Sequence, residues 1–301
     1  MKMERNEGTS EEIRLFKGEK WLVLTSILGF FLAAFCGLWV VVFGKDVAPG
    51  GNVLNAFSFN AAIGIFLLST AAILPYSGLG RRGRAFIRYP YIILTLYAYA
   101  AETVQNFRGM NPRFPKEGSP FDVTVGMIFG VVALLLVVFY LVLAIMYFRP
   151  KVYQTQPEII TGIRYAMVAV MLSFAAGIWI SMIQSRMVGL HGNIIWLHGL
   201  GFHALQAVPL VAWLAARSSL SAASRIRMIH LTGISYILGL LAIGWQTVLG
   251  HTVLEWSSLP VAAGICFLIS LSAGIFVLRK TEADRIFKNT ATPASRRPGS
   301  M

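Results

Sequence analysis

The chain has 301 residues, of which 56% are hydrophobic and only 13% are charged, whereas about 25% of the residues in an average soluble domain are charged. This composition excludes a soluble enzyme, a disordered chain and a coiled coil, and it is typical of a protein that crosses a membrane several times. The net charge of +13 is expected to lie in cytoplasmic loops that face anionic lipids, and it does not indicate a nucleic-acid partner.

The predicted elements are a short N-terminal segment, a long apolar region and a polar tail. Residues 1–19 are charged and contain no apolar stretch, so they are predicted to form a cytoplasmic segment that is not a signal peptide. A transmembrane helix needs about 20 apolar residues, and the region 20–280 contains eight such runs. The predicted spans are residues 20–43, 53–76, 86–107, 123–148, 163–185, 194–216, 228–249 and 258–278. Residues 281–301 are predicted to be a disordered cytoplasmic tail.

The fold class is therefore predicted to be an all-α polytopic membrane bundle of eight transmembrane helices. Alternate loops differ sharply in positive charge, with 21 Lys and Arg residues on the side of the N-terminus and five on the other side. The positive-inside rule then places both termini in the cytoplasm and the chain in the cytoplasmic (inner) membrane. Within the cytoplasmic loops, Arg81, Arg82 and Arg84 are predicted to contact anionic lipid headgroups.

Glu102 is the only acidic residue well inside a predicted span. At helical spacing Thr95, Tyr99, Gln105 and Asn106 share one face with it, and this polar face must point into protein or water. Glu102 would lie roughly 8 Å below the outer surface. Its carboxylate could hold a ligand, a proton or a metal ion, or it could form a structural pair with Arg108 or a neighbouring helix, and these readings carry equal weight.

The sixth span contains His198 and His203, with Gln206 one turn after the second histidine. His198 is expected at the depth of Glu102 and His203 near the midplane. Neutral histidine is a good metal or haem ligand, although interhelical hydrogen bonds are the plainer alternative. The histidines and Glu102 together are the candidate metal ligands, and haem or a divalent metal is the candidate cofactor.

Three spans carry a glutamine near their outer ends, namely Gln105, Gln184 and Gln246. Such a recurrence is found in internal repeats, but chance accounts for three glutamines more simply. Together with Arg108 and Arg113 at the rim, these residues concentrate polar groups in the outer half of the bundle. The asymmetry predicts a polar pocket there, with Glu102, Gln105, Arg108, Arg113, Gln184, Gln206 and Gln246 as its ligand-binding residues.

Two segments resemble a family of bacterial multi-pass inner-membrane proteins. The first is Glu102-x-x-Gln105-x-x-Arg108-Gly109, which is followed by Pro112-Arg113-Phe114, and the second is His198-Gly-x-Gly-x-His203-Ala-Leu-Gln206-x-x-Pro209. The resemblance covers the third to sixth spans. It implies that Glu102, Gln105, Arg108, His198, His203 and Gln206 belong to one pattern, and no activity is implied.

Three functional hypotheses follow from these residues. The first is a membrane protein whose outer pocket binds a metal, haem or quinone-like ligand. The second is a proton-coupled transporter of a small solute, with Glu102 as the proton carrier. The third is a non-catalytic assembly or sensor protein, in which the polar residues only pack helices.

Overall fold

The computed structural model describes residues 14–113 and 118–290, without the side chains of 285–290. This part of the chain is almost entirely helical, as the sequence predicts. Its helices are α1 (Lys20–Phe43), α2 (Val53–Ile73), α3 (Arg81–Phe107), α4 (Pro120–Tyr147), α5 (Pro150–Tyr153), α6 (Pro157–Ile183), α7 (Ile195–Ala215), α8 (Ala222–Val248) and α9 (Ser258–Thr290). A 3₁₀ turn, Leu74–Ser77, follows α2.

Seven of these helices are long and apolar enough to cross a membrane, which supports a multi-pass membrane protein. They are α1, α2 with its 3₁₀ turn, α4, α6, α7, α8 and α9. The other long helix, α3, has 27 residues but also carries four arginines and Glu102. Its length would suffice for a span, since a helix rises about 1.5 Å per residue.

Helix ends differ from the predicted spans mainly where polar residues continue the helix. Helices α3, α6 and α8 begin five or six residues before the predicted spans do. Apolar composition marks only the part of a helix that contacts lipid, whereas the backbone hydrogen bonds of the helix continue through the polar residues before it. Residues 281–290, predicted to belong to the disordered tail, continue α9 instead. The Asp284 carboxylate accepts hydrogen bonds from the Ser219 amide (2.6 Å) and hydroxyl (2.8 Å), which fixes this extension to the loop before α8. Residues 291–301 lie outside the described residues.

The chain divides into two compact units, residues 1–139 and 140–301, with the division inside α4. In the first unit α1 packs along α2, and α3 packs against both. In the second unit α6 packs along α7, α8 packs along α9, and α7 and α8 also contact each other.

Both units contain the same helix–hairpin–helix arrangement in the same register. In the first, β1 (Asp46–Val47) pairs antiparallel with β2 (Gly51–Asn52) between α1 and α2. In the second, β3 (Met187–Val188) pairs with β4 (Gly192–Asn193) between α6 and α7. Helices α3 and α8 both have 27 residues, and their bounds differ by 141 at each end, from 81 to 222 and from 107 to 248.

The hydrogen bonds that hold each hairpin to its unit are also repeated at this spacing. The Gly50 amide donates to the Gly109 carbonyl (2.7 Å), and the His191 amide donates to the Gly250 carbonyl (2.9 Å). The two acceptor residues, Gly109 and Gly250, have left-handed backbones with φ of +78° and +77°, a conformation that glycine adopts without strain. The two units are therefore structural repeats of one another.

The close approach of hairpin and helix requires a second glycine in each unit. A Cβ atom added to Gly51 would lie 2.2 Å from the Asn106 carbonyl oxygen, and one added to Gly192 would lie 2.6 Å from the Thr247 carbonyl oxygen. Only a residue without a side chain fits at either position. The two units therefore share the need for a glycine at this position as well as the hairpin hydrogen bonds.

Candidate functional site

The polar face of α3 is buried inside the first unit, as its spacing predicts. Thr95, Tyr99, Glu102, Gln105 and Asn106 are each no more than 1% exposed. A row of polar side chains at this burial must find partners within the protein, because each unpaired group costs free energy.

Glu102 forms a bidentate ion pair with Arg113, which lies in the segment after α3. The guanidinium Nε donates to Oε2 at 3.1 Å, and its terminal nitrogen donates to Oε1 at 2.6 Å. The carboxylate is 1% exposed and the guanidinium 23%, and the guanidinium also lies over the Phe59 ring at 5.4 Å. The partner named from the sequence, Arg108, is not the one used. Arg113, expected at the mouth of the pocket, is engaged with Glu102 instead.

Arg108 and Gln105 both contact Asp122, near the start of α4. The Gln105 amide nitrogen donates to Asp122 Oδ1 at 2.9 Å, and an Arg108 nitrogen lies 3.3 Å from the same oxygen. The other oxygen, Oδ2, accepts from the Ser119 amide and hydroxyl. Sequence reasoning missed Asp122, although Ser119-x-x-Asp122 is a capping pattern that signals a helix start. The predicted residues Glu102, Gln105, Arg108 and Arg113 are therefore gathered at the C-terminal end of α3.

The hairpin of the first unit is joined to the same end of α3. Asn106 accepts a hydrogen bond from the Asn52 amide at 3.0 Å, and its own amide donates to the Glu102 carbonyl at 2.7 Å. Asn52 in turn accepts from the first backbone amides of α2. This chain of bonds positions α3 against α2 next to the Glu102 carboxylate.

Five buried side-chain atoms of the first unit have no hydrogen-bond partner among the described residues; one is Arg84 Nε, and the other four belong to uncharged side chains. Those four are Asn60 Oδ1, Thr95 Oγ1, Tyr99 Oη and Gln105 Oε1. Each belongs to a side chain that is at most 1% exposed. A buried polar group without a partner costs about 1–3 kcal/mol, so these four atoms need an explanation.

Three of the four side chains belong to α3, and the fourth faces it from α2. The Asn60 amide nitrogen donates to Thr103 Oγ1 at 3.0 Å. The Tyr99 hydroxyl and the Asn60 backbone carbonyl both approach Gly29 of α1, since an added Cβ there would lie 2.1 Å and 3.1 Å from them. We call the group Asn60, Thr95, Tyr99 and Gln105, together with the Glu102–Arg113 pair, the α3 polar site.

His198 in the second unit is used for packing between α6 and α7. Its Nδ1 lies 2.8 Å from the Ser173 carbonyl oxygen, and the Ser173 hydroxyl donates to the His198 carbonyl. Gly177 makes room for the His198 ring, because a Cβ atom added to Gly177 would lie 2.8 Å from His198 Cε1. This is the interhelical hydrogen bonding that the sequence allowed as the plainer alternative.

His203 is exposed, and its Nδ1 lies 3.1 Å from Gln206 Oε1 on the same helix. The assignment of His203 as a metal ligand stays a prediction. Gln184 is also exposed, at the left-handed residue that ends α6, and its amide donates to the Ser181 carbonyl. Gln246 is buried and donates to the Thr252 carbonyl at 3.0 Å.

The repeat relates Gln105 to Gln246 and leaves Gln184 out. Thr95 and Gln105 of the α3 polar site have the polar counterparts Tyr236 and Gln246, but three other positions of the site become apolar in the second unit. The residues 141 positions after Asn60, Tyr99 and Glu102 are a glycine, a leucine and an isoleucine. The two units thus share a scaffold, and the first has a polar interior that the second does not reproduce at these positions.

The metal assignment gains no support from this arrangement. In residues 14–113 and 118–290 no group of three or more His, Cys, Asp and Glu side chains could hold a metal ion. Glu102 belongs to the first unit, and the two histidines named with it belong to the second.

The three arginines predicted to contact lipid headgroups differ in their surroundings. Arg84 donates to the Lys17 carbonyl at 3.1 Å and lies 3.7 Å from the buried Glu19 carboxylate, whereas Arg81 and Arg82 are exposed.

Comparison with known proteins assigns no family. No family model, curated protein or solved structure matches this chain. The geometry of the site is therefore the basis for the functional assignment.

Proposed function

We propose that this chain is an eight-span protein of the cytoplasmic membrane, with both termini in the cytoplasm, that binds a lipid-soluble, quinone-like ligand in its first unit. Support for the eighth span comes from the internal repeat. Helix α3 is the counterpart of α8, which is apolar enough to be a span and has the same length. With α3 included, each unit has four spans, and the 21-to-5 distribution of positive charge agrees with cytoplasmic termini.

Cysteine labelling tests whether α3 crosses the membrane. Lys45→Cys precedes α3 and Leu190→Cys follows it, and both would be made in a background without Cys36 and Cys266. With eight spans, a membrane-impermeant maleimide labels both sites in intact spheroplasts. If α3 does not cross, the two sites lie on opposite sides, and only one is labelled before lysis.

The ligand assignment rests on the four unpartnered polar atoms of the α3 polar site. They are buried in helices otherwise suited to lipid, next to a carboxylate whose charge is already balanced by Arg113. Such a site offers hydrogen bonds without net charge, which suits a neutral ligand that enters from the bilayer. A haem would draw on His198 and His203, but His198 is engaged with Ser173 and the side chain of His203 is exposed.

Binding is tested by titrating a decyl-benzoquinone/benzoquinol mixture into the full chain in lipid nanodiscs and following protein fluorescence. Tyr99→Phe removes one unpartnered hydroxyl and is expected to weaken binding about five- to tenfold, the equivalent of one hydrogen bond. Tyr236→Phe is the matched control, since its hydroxyl donates to the Leu200 carbonyl at 2.7 Å in the second unit. Absence of binding above that of empty nanodiscs would overturn the proposal.

A second candidate function, transport of a small solute, is favoured by the internal repeat, because many transporters consist of such repeats. The bidentate pair holds both oxygens of the Glu102 carboxylate at the Arg113 guanidinium. In proteoliposomes with a trapped pH indicator, Glu102→Gln would abolish a proton flux carried by this residue. A flux equal to that of empty liposomes would count against transport.

We also propose that Arg81 and Arg82 contact anionic headgroups, since both are exposed at the start of α3. Arg84 is assigned instead to the Glu19 ion pair.

A further inference from the structure

We infer that the second unit holds an anionic phospholipid at Tyr165, Arg227 and His230, close to the ends at which α6 and α8 begin. These residues belong to the other unit from the α3 polar site, so the inference goes beyond the proposed function and does not depend on it. Three observations carry it: an exposed hydrogen-bonded pair, a cation beside the pair, and an apolar helix face that starts at that cation.

Tyr165 of α6 and His230 of α8 form the hydrogen-bonded pair. The Tyr165 hydroxyl lies 2.8 Å from His230 Nδ1, and the two rings meet edge to face with centroids 5.7 Å apart. Gly233 permits this contact, because a Cβ atom added to Gly233 would lie 2.2 Å from Cγ of the Tyr165 ring. The missing side chain at Gly233 therefore allows the Tyr165 hydroxyl to reach His230.

The pair keeps one unused donor in either arrangement of its protons. If the Tyr165 hydroxyl donates to Nδ1, the imidazole hydrogen is on Nε2, and if Nδ1 donates, the hydroxyl hydrogen is left over. Within the described residues the two side chains form no other hydrogen bond, and His230 is exposed. Because a donor that faces the bilayer without an acceptor costs free energy, an acceptor from outside the chain is expected here.

The pair lies at the boundary between lipid headgroups and hydrocarbon. Helices α6 and α8 are long and apolar enough to be spans, and Tyr165 and His230 are each two residues inside the predicted spans 163–185 and 228–249. That position is about 3 Å below the start of the span, since a helix rises about 1.5 Å per residue. Arg227 lies one residue before the span. The acceptors available at this level are the phosphate and ester oxygens of phospholipids.

Arg227 places a positive charge next to the pair. It is exposed and lies three residues before His230, which puts the two side chains on the same face of α8. The nearby Arg225 is paired with Glu158 at 3.5 Å, whereas Arg227 forms no ion pair within the described part of the chain. A guanidinium and a second donor together match a phosphate group. A zwitterionic lipid carries its own cation, so the charge favours an anionic lipid.

The face of α8 that begins at Arg227 continues as an apolar stripe. Its residues follow one another at steps of three or four and are 43% to 58% exposed, namely Leu231, Ile234, Leu238, Leu241 and Trp245. This stripe provides a surface for an acyl chain directly beside the groups that would hold the phosphate. A soluble phosphate compound would leave the stripe unused, so the occupant is assigned as a lipid.

The test is native mass spectrometry of the full chain in maltoside micelles, titrated with dioleoylphosphatidylglycerol or with dioleoylphosphatidylcholine. The anionic lipid is expected to bind at least about fivefold more tightly, the equivalent of one basic side chain at a membrane surface. Arg227→Gln is expected to remove this preference, and His230→Phe, which removes the donor and keeps a ring, is expected to weaken binding of the anionic lipid. Arg279→Gln removes another exposed arginine and is the matched control that leaves the preference unchanged.

Several results would overturn the inference. Equal affinity for the two lipids would remove its basis in charge, and equal losses for Arg227→Gln and Arg279→Gln would show that only the overall charge matters. Glycerol phosphate, added at the concentration of the lipid, is expected not to displace it, and displacement would refute the assignment to a lipid. Arg227→Gln is expected to leave the quinone titration unchanged, so this inference and the proposed function fail or stand separately.

Discussion

The ion pair between Glu102 and Arg113 gives a sharp test of how the first unit is stabilised. Arg113→Ala leaves a carboxylate that is 1% exposed without its counter-charge. Breaking a buried ion pair on one side costs about 3–5 kcal/mol. Arg108→Ala is the matched control: the Arg108 side chain is 44% exposed, and the Asp122 carboxylate keeps its hydrogen bonds from Gln105 and Ser119 when Arg108 is lost, so we expect a loss of about 0–1 kcal/mol. We therefore expect the two variants to differ by about 3 kcal/mol in the free energy of unfolding.

The measurement is reversible unfolding in mixed micelles with increasing sodium dodecyl sulfate, followed by circular dichroism. Glu102→Gln and the double variant Glu102→Gln/Arg113→Ala complete a double-mutant cycle. We expect Arg113→Ala to lower the free energy of unfolding less in the Glu102→Gln background, because the carboxylate is then absent. Equal losses for Arg113→Ala and Arg108→Ala, or a loss below about 1 kcal/mol for Arg113→Ala, would refute the reasoning.

Three further stability measurements follow from single contacts and use the same unfolding assay. Tyr99→Phe is expected to leave the free energy of unfolding unchanged or to raise it by about 1 kcal/mol, whereas Tyr236→Phe is expected to lower it by a similar amount. The reason is that only the Tyr236 hydroxyl has a hydrogen bond to lose. A lower free energy of unfolding for Tyr99→Phe would contradict this. Gly250→Ala is expected to cost about 1–2 kcal/mol because φ is +77° there, and a neutral effect would show that this turn tolerates a side chain. His198→Ala is expected to cost about 1–3 kcal/mol because it loses the bond to Ser173, whereas His203→Ala is expected to cost less than about 0.5 kcal/mol because His203 is exposed. The reverse order would contradict this assignment of packing to His198.

The internal repeat changes how the glutamine pattern is interpreted. The sequence contained three glutamines at similar positions, for which chance was the simpler interpretation. The structure retains two of them, Gln105 and Gln246, as counterparts in two units with the same hairpin and the same glycine turn. The repeat was hard to see in the sequence because lipid-facing residues need only be apolar. The few residues held by geometry, such as Gly51 and Gly192, are too widely spaced to stand out.

The sequence by itself determined the all-helical, multi-pass character of the chain, nearly all helix positions and the buried polar face of α3. These follow from local rules, since a bilayer demands long apolar helices and a helix places every third or fourth residue on one face. The tertiary structure decided which cation pairs with Glu102, that His198 packs while His203 is exposed, and that Asn60, Thr95, Tyr99 and Gln105 each keep a buried polar atom without a partner among the described residues. These features depend on which side chains meet across helices and turns, and no rule of spacing within one segment can specify a partner from another.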